Sequence, residues 1–580
     1  MVEVTDRLSV DGRECRIISG AIHYFRILPE YWRDRLEKLK NMGCNTVEFY
    51  IPWNFHEEKQ GQFDWSGRRD VVRFMELAQE LGLYMIARTS PYICGEWEFG
   101  GLPSWLLKDR GMRLRCSYKP YLDAVKAYYE ELIPRLVPFQ QDRGGRLILI
   151  QIENEYGYYG NDASYMRFLA DTMRSLGITV PFVTSDGPWA RASFKNGSLP
   201  GVWPTGNFGS QVETQFAAMK GYMDSPFPLM CMEFWCGWFD AWGGIHHTSD
   251  LAQNVKDLED VLRLGHVNFY MFEGGTNFGF TAGRNATETH ADITSYDYDA
   301  ILTEDGQITE KYRAFKEVIA RHAPIAEVPL STTITRKAYG RLECTGKVDL
   351  FSALPALAEA RRSPYPLSME ELDQSGGYLL YRTTLAPYEE ALSLRIDRAA
   401  DRAHIFENGT HIATLLNEEL ATGIKREKAP AGATIDLLFE NAGRVNFGPL
   451  LEVQRKGIAG NLVINEHIQY GFEMFCLPFD ETQLSRLDFA AGWREGLPAF
   501  YRFSFEADEA CDTFLDCEGF AKGVAFINGF NLGRFWEIGP QQRLYVPAPL
   551  IRTGRNELII FESEGKAADS VTLCDRTAWR

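Results

Sequence analysis

Up to about residue 325 the chain alternates short runs of consecutive apolar residues with segments whose apolar positions recur at helical spacing. The apolar runs predict strands at Arg16–Phe25, Thr46–Trp53, Leu83–Ile93, Leu147–Glu155, Pro181–Asp186, Val202–Phe208, Pro228–Trp235 and Val267–Gly275. Leu147-Ile-Leu-Ile-Gln-Ile is apolar on successive positions, as suits a parallel strand covered on both faces. Between the strands, Val71, Phe74, Leu77 and Ala78 mark a helix that stops at Gly82. Tyr165, Phe168, Leu169, Met173 and Leu176 mark one ending at Gly177, and Leu258, Val261 and Leu262 precede Gly265. Eight strands alternating with helices predict an α/β class and an N-terminal (β/α)8 TIM barrel. The alternative, a doubly wound sheet, lacks the glycine-rich phosphate loop after its first strand.

After His322-Ala-Pro the helical periodicity gives way to alternating strands, such as Tyr378-Leu-Leu-Tyr-Arg-Thr-Thr and Leu392-Ser-Leu-Arg-Ile. Two passages share one layout: Ala403-His-Ile-Phe-Glu-Asn-Gly-Thr-His-Ile and Gly523-Val-Ala-Phe-Ile-Asn-Gly-Phe-Asn-Leu-Gly. Each is a strand, an Asn-Gly turn and a second strand, so they predict equivalent hairpins in two all-β jelly-roll or sandwich domains. The expected division is 1–325 for the barrel, 326–485 for a first all-β region and 486–580 for a second. The first all-β region includes a linker and leaves room for strands shared with the last domain. Ser363–Ser375 is expected to be irregular linker.

Composition narrows the function. The 580 residues carry 61 basic and 79 acidic side chains, a formal charge of −18. That balance works against nucleic acid or an anionic membrane as partner, because phosphate binding needs clustered cations. No apolar run reaches the ~20 residues needed to span a bilayer. The start, Met1-Val-Glu-Val-Thr-Asp, shows no secretion signal. Eleven cysteines are scattered, and neither Cys231/Cys236 nor Cys511/Cys517 has a zinc-site spacing, so mostly buried thiols and a cytoplasmic location are expected. The sequons at Asn196, Asn285 and Asn408 then read as chance matches. Adjacent His246 and His247 read as loop residues; neither a metal nor another cofactor is expected. Aromatic residues make up 13% of the chain, which suits large cores and sugar rings alike.

Barrel enzymes place their chemistry at the C-terminal strand ends. The fourth strand ends Gln151-Ile-Glu-Asn-Glu-Tyr-Gly, and the seventh carries Glu233 among large apolar neighbours. Burial favours the neutral form of such a carboxyl unless it is paired. Either position alone reads equally well as a barrel-end salt bridge. Together they suggest an acid/base and a nucleophile for glycoside hydrolysis.

Seven blocks extend this reading. They are Ser19-Gly-Ala-Ile-His-Tyr-Phe-Arg, Glu48-Phe-Tyr-Ile-Pro-Trp-Asn-Phe-His-Glu, Pro91-Tyr-Ile-Cys-Gly-Glu-Trp-Glu-Phe-Gly-Gly-Leu-Pro, Gln151-Ile-Glu-Asn-Glu-Tyr-Gly, Glu233-Phe-Trp-Cys-Gly-Trp, Met271-Phe-Glu-Gly-Gly-Thr-Asn-Phe-Gly and Thr294-Ser-Tyr-Asp-Tyr-Asp-Ala. In these blocks and their order the chain resembles the glycoside hydrolase family 35 β-galactosidases, especially their compact bacterial members. The resemblance implies an exo-acting retaining enzyme that removes terminal β-D-galactose from short oligosaccharides, with β-1,3 linkages preferred. It makes Glu155 the acid/base and Glu233 the nucleophile, puts Asn154 on the sugar 2-hydroxyl, and leaves Glu153 in support. It places Tyr50, Cys94, Gly95, Glu96 and Tyr298 around the galactose. Gly95 replaces the family's common alanine, and Cys94 an asparagine seen in some members, so backbone contacts are expected there. Trp238 and Trp242 follow Glu233 and offer indole faces for the leaving sugar; barrel-end packing is the equal alternative for Trp242. The final domain is expected to be galactose-binding-like, and the partners a galactose-terminated substrate and a second copy in a homodimer. Competing readings are a barrel hydrolase for another β-glycoside, such as a β-glucosidase or exo-glucosaminidase, and a carbohydrate-binding protein with an inert barrel.

Overall fold

The computed structural model describes residues 1–580. Eight parallel strands close a barrel: β1 (Ile18–Ile22), β2 (Thr46–Tyr50), β3 (Tyr84–Arg88), β4 (Leu147–Asn154), β5 (Phe182–Asp186), β6 (Trp203–Asn207), β7 (Met230–Trp235) and β8 (His266–Glu273). All eight predicted strands are present. Several are shorter at their C-terminal ends, because the apolar runs continue past the last ladder bond into loops that fold over the barrel mouth. After β3, for example, Pro91 lies outside the ladder, and Cys94, Gly95 and Glu96 follow in left-handed backbone with φ of 58°, 57° and 47°. The helices Val71–Glu80, Ala163–Ser175 and Leu251–Leu264 each open on an aspartate that caps a free N–H: Asp70, Asp162 and Asp250. Their apolar faces join one large core around the barrel. The far end of the barrel is sealed by Leu8 and Val10 of the N-terminal strands, packed with Ile17 against Ile86, Leu149, Val183 and Met232.

The rest is all β. The first all-β domain faces a six-stranded sheet, running from Arg361–Ser363 to Thr410–Leu416, with a four-stranded one across a shared core. The last domain pairs a four-stranded with a five-stranded sheet. Gly340–Glu343 and Gly346–Asp349 pair with Ser570–Cys574 and Ala499–Ala507, so a division at 485 splits the last domain's own sheets. The supposed linker Ser363–Ser375 opens on a strand end, and its Met369 and Leu372 are buried in the first all-β core. Both expected hairpins form, with Asn408-Gly409 and Asn528-Gly529 in left-handed backbone at their tips. A register shift falls at the equivalent place in each, between Ile405 and Phe406 and between Ala525 and Phe526. The two β domains share a further apolar cluster that joins Phe406, Leu438 and Phe475 to Phe500, Phe526 and Phe561.

One short contact between domains bears on the site. Arg284–Asn285, in the loop after β8, pairs in parallel with Val445–Phe447 of the first all-β domain. Arg444 beside it is fully buried between Glu98 of the barrel and Glu370 of its own domain. No helix is long and apolar enough to cross a membrane, and all eleven cysteines are free, six of them buried.

Candidate active site

A cavity of about 430 Å³ opens at the C-terminal end of the barrel, a size typical of small-ligand sites. Tyr50, Cys94, Gly95, Glu96, Asn154, Glu155, Glu233, Trp238 and Tyr298 all line it. These nine expected site residues are therefore at one cavity, contributed by β2, β4 and β7 and by the loops after β3, β4, β7 and β8.

The fourth strand shows how its polar end is sorted. Simple alternation would put Glu153 and Glu155 on one face. A register shift between Gln151 and Asn154 breaks that alternation, and Glu155 follows with φ 48°. Glu153 turns away, clamped by Arg115 at 2.9 and 2.8 Å and by the Tyr165 hydroxyl at 3.2 Å. Asn154 and Glu155 reach the cavity. The Asn154 amide oxygen accepts from Gln151 at 3.2 Å and from Arg88, and lies 3.1 Å from the Tyr50 hydroxyl, whose single proton goes to Glu233. Its NH2 group is thereby fixed on the opposite side, where it donates to the Ile93 carbonyl and can also meet a sugar hydroxyl.

The two candidate carboxyls sit in different surroundings. Glu233 Oε1 accepts from Arg88 at 2.6 Å and from the Tyr50 hydroxyl at 2.9 Å, and Oε2 accepts from Trp235 Nε1 at 3.1 Å. All three partners are donors, and one is a full charge. Glu155 accepts from a neutral group, Asn207 Nδ2, at 3.1 Å. Burial first, and then the charge of Glu233, push its carboxyl up to about 8. The arrangement gives one group that keeps a proton at neutral pH and one that is ion-paired as a carboxylate, the division acid-assisted displacement needs.

Sequence motifs do not single out Arg88, yet it is the hub of this network. It is fully buried, donates to Gln151 at 2.7 Å as well as to Glu233, and lies 4.1 Å over the Tyr50 ring. One signal does point to it: a cation ending the apolar run Tyr84-Met-Ile-Ala-Arg must be paired where it is buried. On the opposite wall Glu96 accepts from the Tyr296 hydroxyl, and burial pushes its carboxyl up to about 7. Asn446 of the first all-β domain donates to Cys94 Sγ at 3.5 Å and to Asn285 at 3.0 Å.

The mouth is aromatic. Trp238 is 39% exposed and Trp189 50% exposed, with Trp235 between them at 5.5 and 5.7 Å. Tyr158, Phe239, Tyr270 and Phe447 complete the wall. Phe447 comes from the first all-β domain, carried there by the pairing with Arg284–Asn285. Trp242 takes no part: it is buried with Ala291 and Ile293 against Trp536 and Ile538, so packing is its role. His246 and His247 both hydrogen-bond to Asp240, at 2.7 and 2.8 Å.

The model of "Glycosyl hydrolases family 35" matches residues 7–322. "Beta-galactosidase, first all-beta domain" matches residues 366–478 and "Beta-galactosidase, galactose-binding domain" residues 498–556. The human "Beta-galactosidase-1-like protein 2" is 40% identical over 94% of this chain and 87% of its own. The mouse "Beta-galactosidase" is 38% identical over 96% of this chain and 90% of its own. Likeness of this extent to mammalian proteins does not single out the compact bacterial members. The catalytic-barrel match covers more than half of the sequence and the relatives nearly all of it. The barrel that carries the two-carboxyl cavity is thus a family barrel, and the chain belongs to glycosyl hydrolases family 35.

Proposed function

We propose that the protein is an exo-acting β-galactosidase that works by retaining double displacement. The observation that carries this reading is the unequal pair, Glu155 with a raised pKa and Glu233 held by three donors, in one cavity of a family 35 barrel. Glu233 attacks the anomeric carbon while Glu155 gives its proton to the leaving oxygen. The covalent galactosyl-enzyme is then hydrolysed by water that Glu155 deprotonates, and galactose leaves with its β configuration kept. The fixed Asn154 amide supplies a donor for the 2-hydroxyl. Tyr50, Glu96 and Tyr298 offer polar groups to the rest of the glycone.

Relatives named as β-galactosidases support galactose as the sugar. We place the leaving sugar against the exposed indole of Trp238 and propose short β-1,3-linked galactosides as preferred substrates, in a cytoplasmic setting. Two measurements test the reading: hydrolysis of nitrophenyl β-galactoside against the β-glucoside, and NMR of the first-formed anomer. Faster glucoside hydrolysis, or an α-galactose product, would overturn it.

A further inference from the structure

Beneath the cavity floor the barrel interior sets two carboxyl groups beside one guanidinium. Alternation along β2 puts Thr46, Glu48 and Tyr50 on the inner face and Val47 and Phe49 in the core outside. Glu48 is fully buried, and its neighbours come from three other strands: Arg88 of β3, Glu233 of β7 and Asn268 of β8. Tyr50, on its own strand, is a further titratable group that faces it.

The two carboxyls are served unequally. Glu233 takes three donors, Arg88 among them. Glu48 Oε2 accepts one neutral hydrogen bond, from Asn268 Nδ2 at 3.1 Å, and the buried Oε1 has no partner. Arg88 Nε lies 3.6 Å from Oε1, but its hydrogen bond goes to Gln151 at 2.7 Å. A buried carboxylate with one neutral donor is poorly stabilised as an anion, and a single guanidinium cannot neutralise two.

We propose that Glu48 is a positioning residue for the nucleophile, resting as the neutral acid so that the charge of Arg88 is committed to Glu233. This rests on reading Glu233 as the nucleophile. Burial pushes the Glu48 carboxyl up to about 7; Arg88 pulls it down and the charge of Glu233 adds to the rise. Ionisation therefore falls inside the working range. When the proton leaves, a second anion competes for Arg88, and Glu233 loses the undivided ion pair that aims it at the anomeric carbon.

The test is the pH profile of kcat/KM for a dinitrophenyl β-galactoside, whose leaving group needs no proton, so that Glu155 does not shape the alkaline limb. The wild-type enzyme should fall off with an inflection near pH 7. Glu48→Gln fixes the neutral form, so its kcat/KM relative to wild type should rise at least about tenfold between about pH 6 and 8.5. A constant ratio overturns the proposal. So does a wild-type profile without an inflection in that range, a readout that needs no variant to fold. Labelling by a 2-deoxy-2-fluorogalactoside separates the two readings. Label absent from Glu233 refutes the nucleophile assignment; label on Glu233 with a constant ratio refutes the role of Glu48 alone.

Discussion

Neutralising Glu233 should lower the pKa of Glu155. The Glu155 carboxyl stands at about 8 against an ordinary 4.5, with burial the larger cause and the charge of Glu233 the second. In double displacement the two carboxyls are about 5.5 Å apart. At an effective dielectric constant of about 20 that separation gives about 3 kcal/mol, or about 2 pH units. Burial outranks this contribution and remains when it is gone, so a fall of about 1–2 units, to between about 6 and 7, is expected. Glu233→Gln mimics the charge loss, and so does the trapped fluorogalactosyl-enzyme. Carbon-13 NMR of glutamate-labelled protein, with Glu155→Gln to assign the signal, measures the titration directly. The functional meaning is that one residue can be an acid in the first step and a base in the second, because the first step itself removes the charge that held its proton. An unchanged Glu155 titration in Glu233→Gln would mean that the two carboxyls do not share a site, and the mechanism would fail with it.

Glu155→Gln should slow an unactivated disaccharide by about 10²–10⁴-fold and a dinitrophenyl galactoside far less, while Glu233→Gln should abolish both; near-normal disaccharide turnover in either variant refutes the assignment. Trp238→Ala should cost about 0.5–1.5 kcal/mol on a β-1,3 disaccharide, about two- to twelvefold in kcat/KM, with little change for a chromogenic galactoside; equal losses would move Trp238 into the galactose subsite. Arg88→Met leaves Glu233 buried without its cation and should destabilise the fold by about 3–5 kcal/mol; a denaturant midpoint within error of wild type refutes the hub. Glu155 and Glu304 stand at about 8, and Glu48, Glu96 and Glu273 at about 7. These folded values lie above the unfolded ones, so their contribution is full below about pH 4.5 and is lost as pH rises through 7–8. The denaturant midpoint should therefore fall between about pH 4.5 and 8, and a flat or rising midpoint there would contradict the burial of these acids.

The parts of the molecule legible in the sequence are those whose cause is local. A strand covered on both faces must be apolar at successive positions, so the eight barrel strands declare themselves. Asn-Gly is favoured where two residues need left-handed backbone, so the hairpins at Asn408 and Asn528 do too. Glu155 and Glu233 are visible for the same reason: a charge in an apolar strand needs a local explanation. Glu48 and Arg88 meet that criterion equally, each a charge within an apolar strand, although no motif singles them out, and both lie beneath the cavity floor.

What stays hidden has non-local causes. Glu153 and Glu155 differ only through a register shift that no neighbouring residue announces, and the extra residue decides which carboxyl reaches the cavity. Trp238 and Trp242 look alike in sequence. One is left open at the cavity mouth, while the other is covered by Trp536 and Ile538, nearly 300 residues away in the chain. Phe447 sits in a strand of three residues with nothing catalytic about it, and gains its place from pairing with Arg284–Asn285. The aromatic wall of the cavity is therefore assembled across a domain boundary, while Tyr50, Glu96, Asn154, Glu155 and Glu233 come from the barrel alone. Changes in the first all-β domain near Phe447 can then reshape the cavity mouth without touching Glu155, Glu233 or Arg88. The aromatic mouth of the cavity thus belongs to two folding units, Trp238 to the barrel and Phe447 to the first all-β domain.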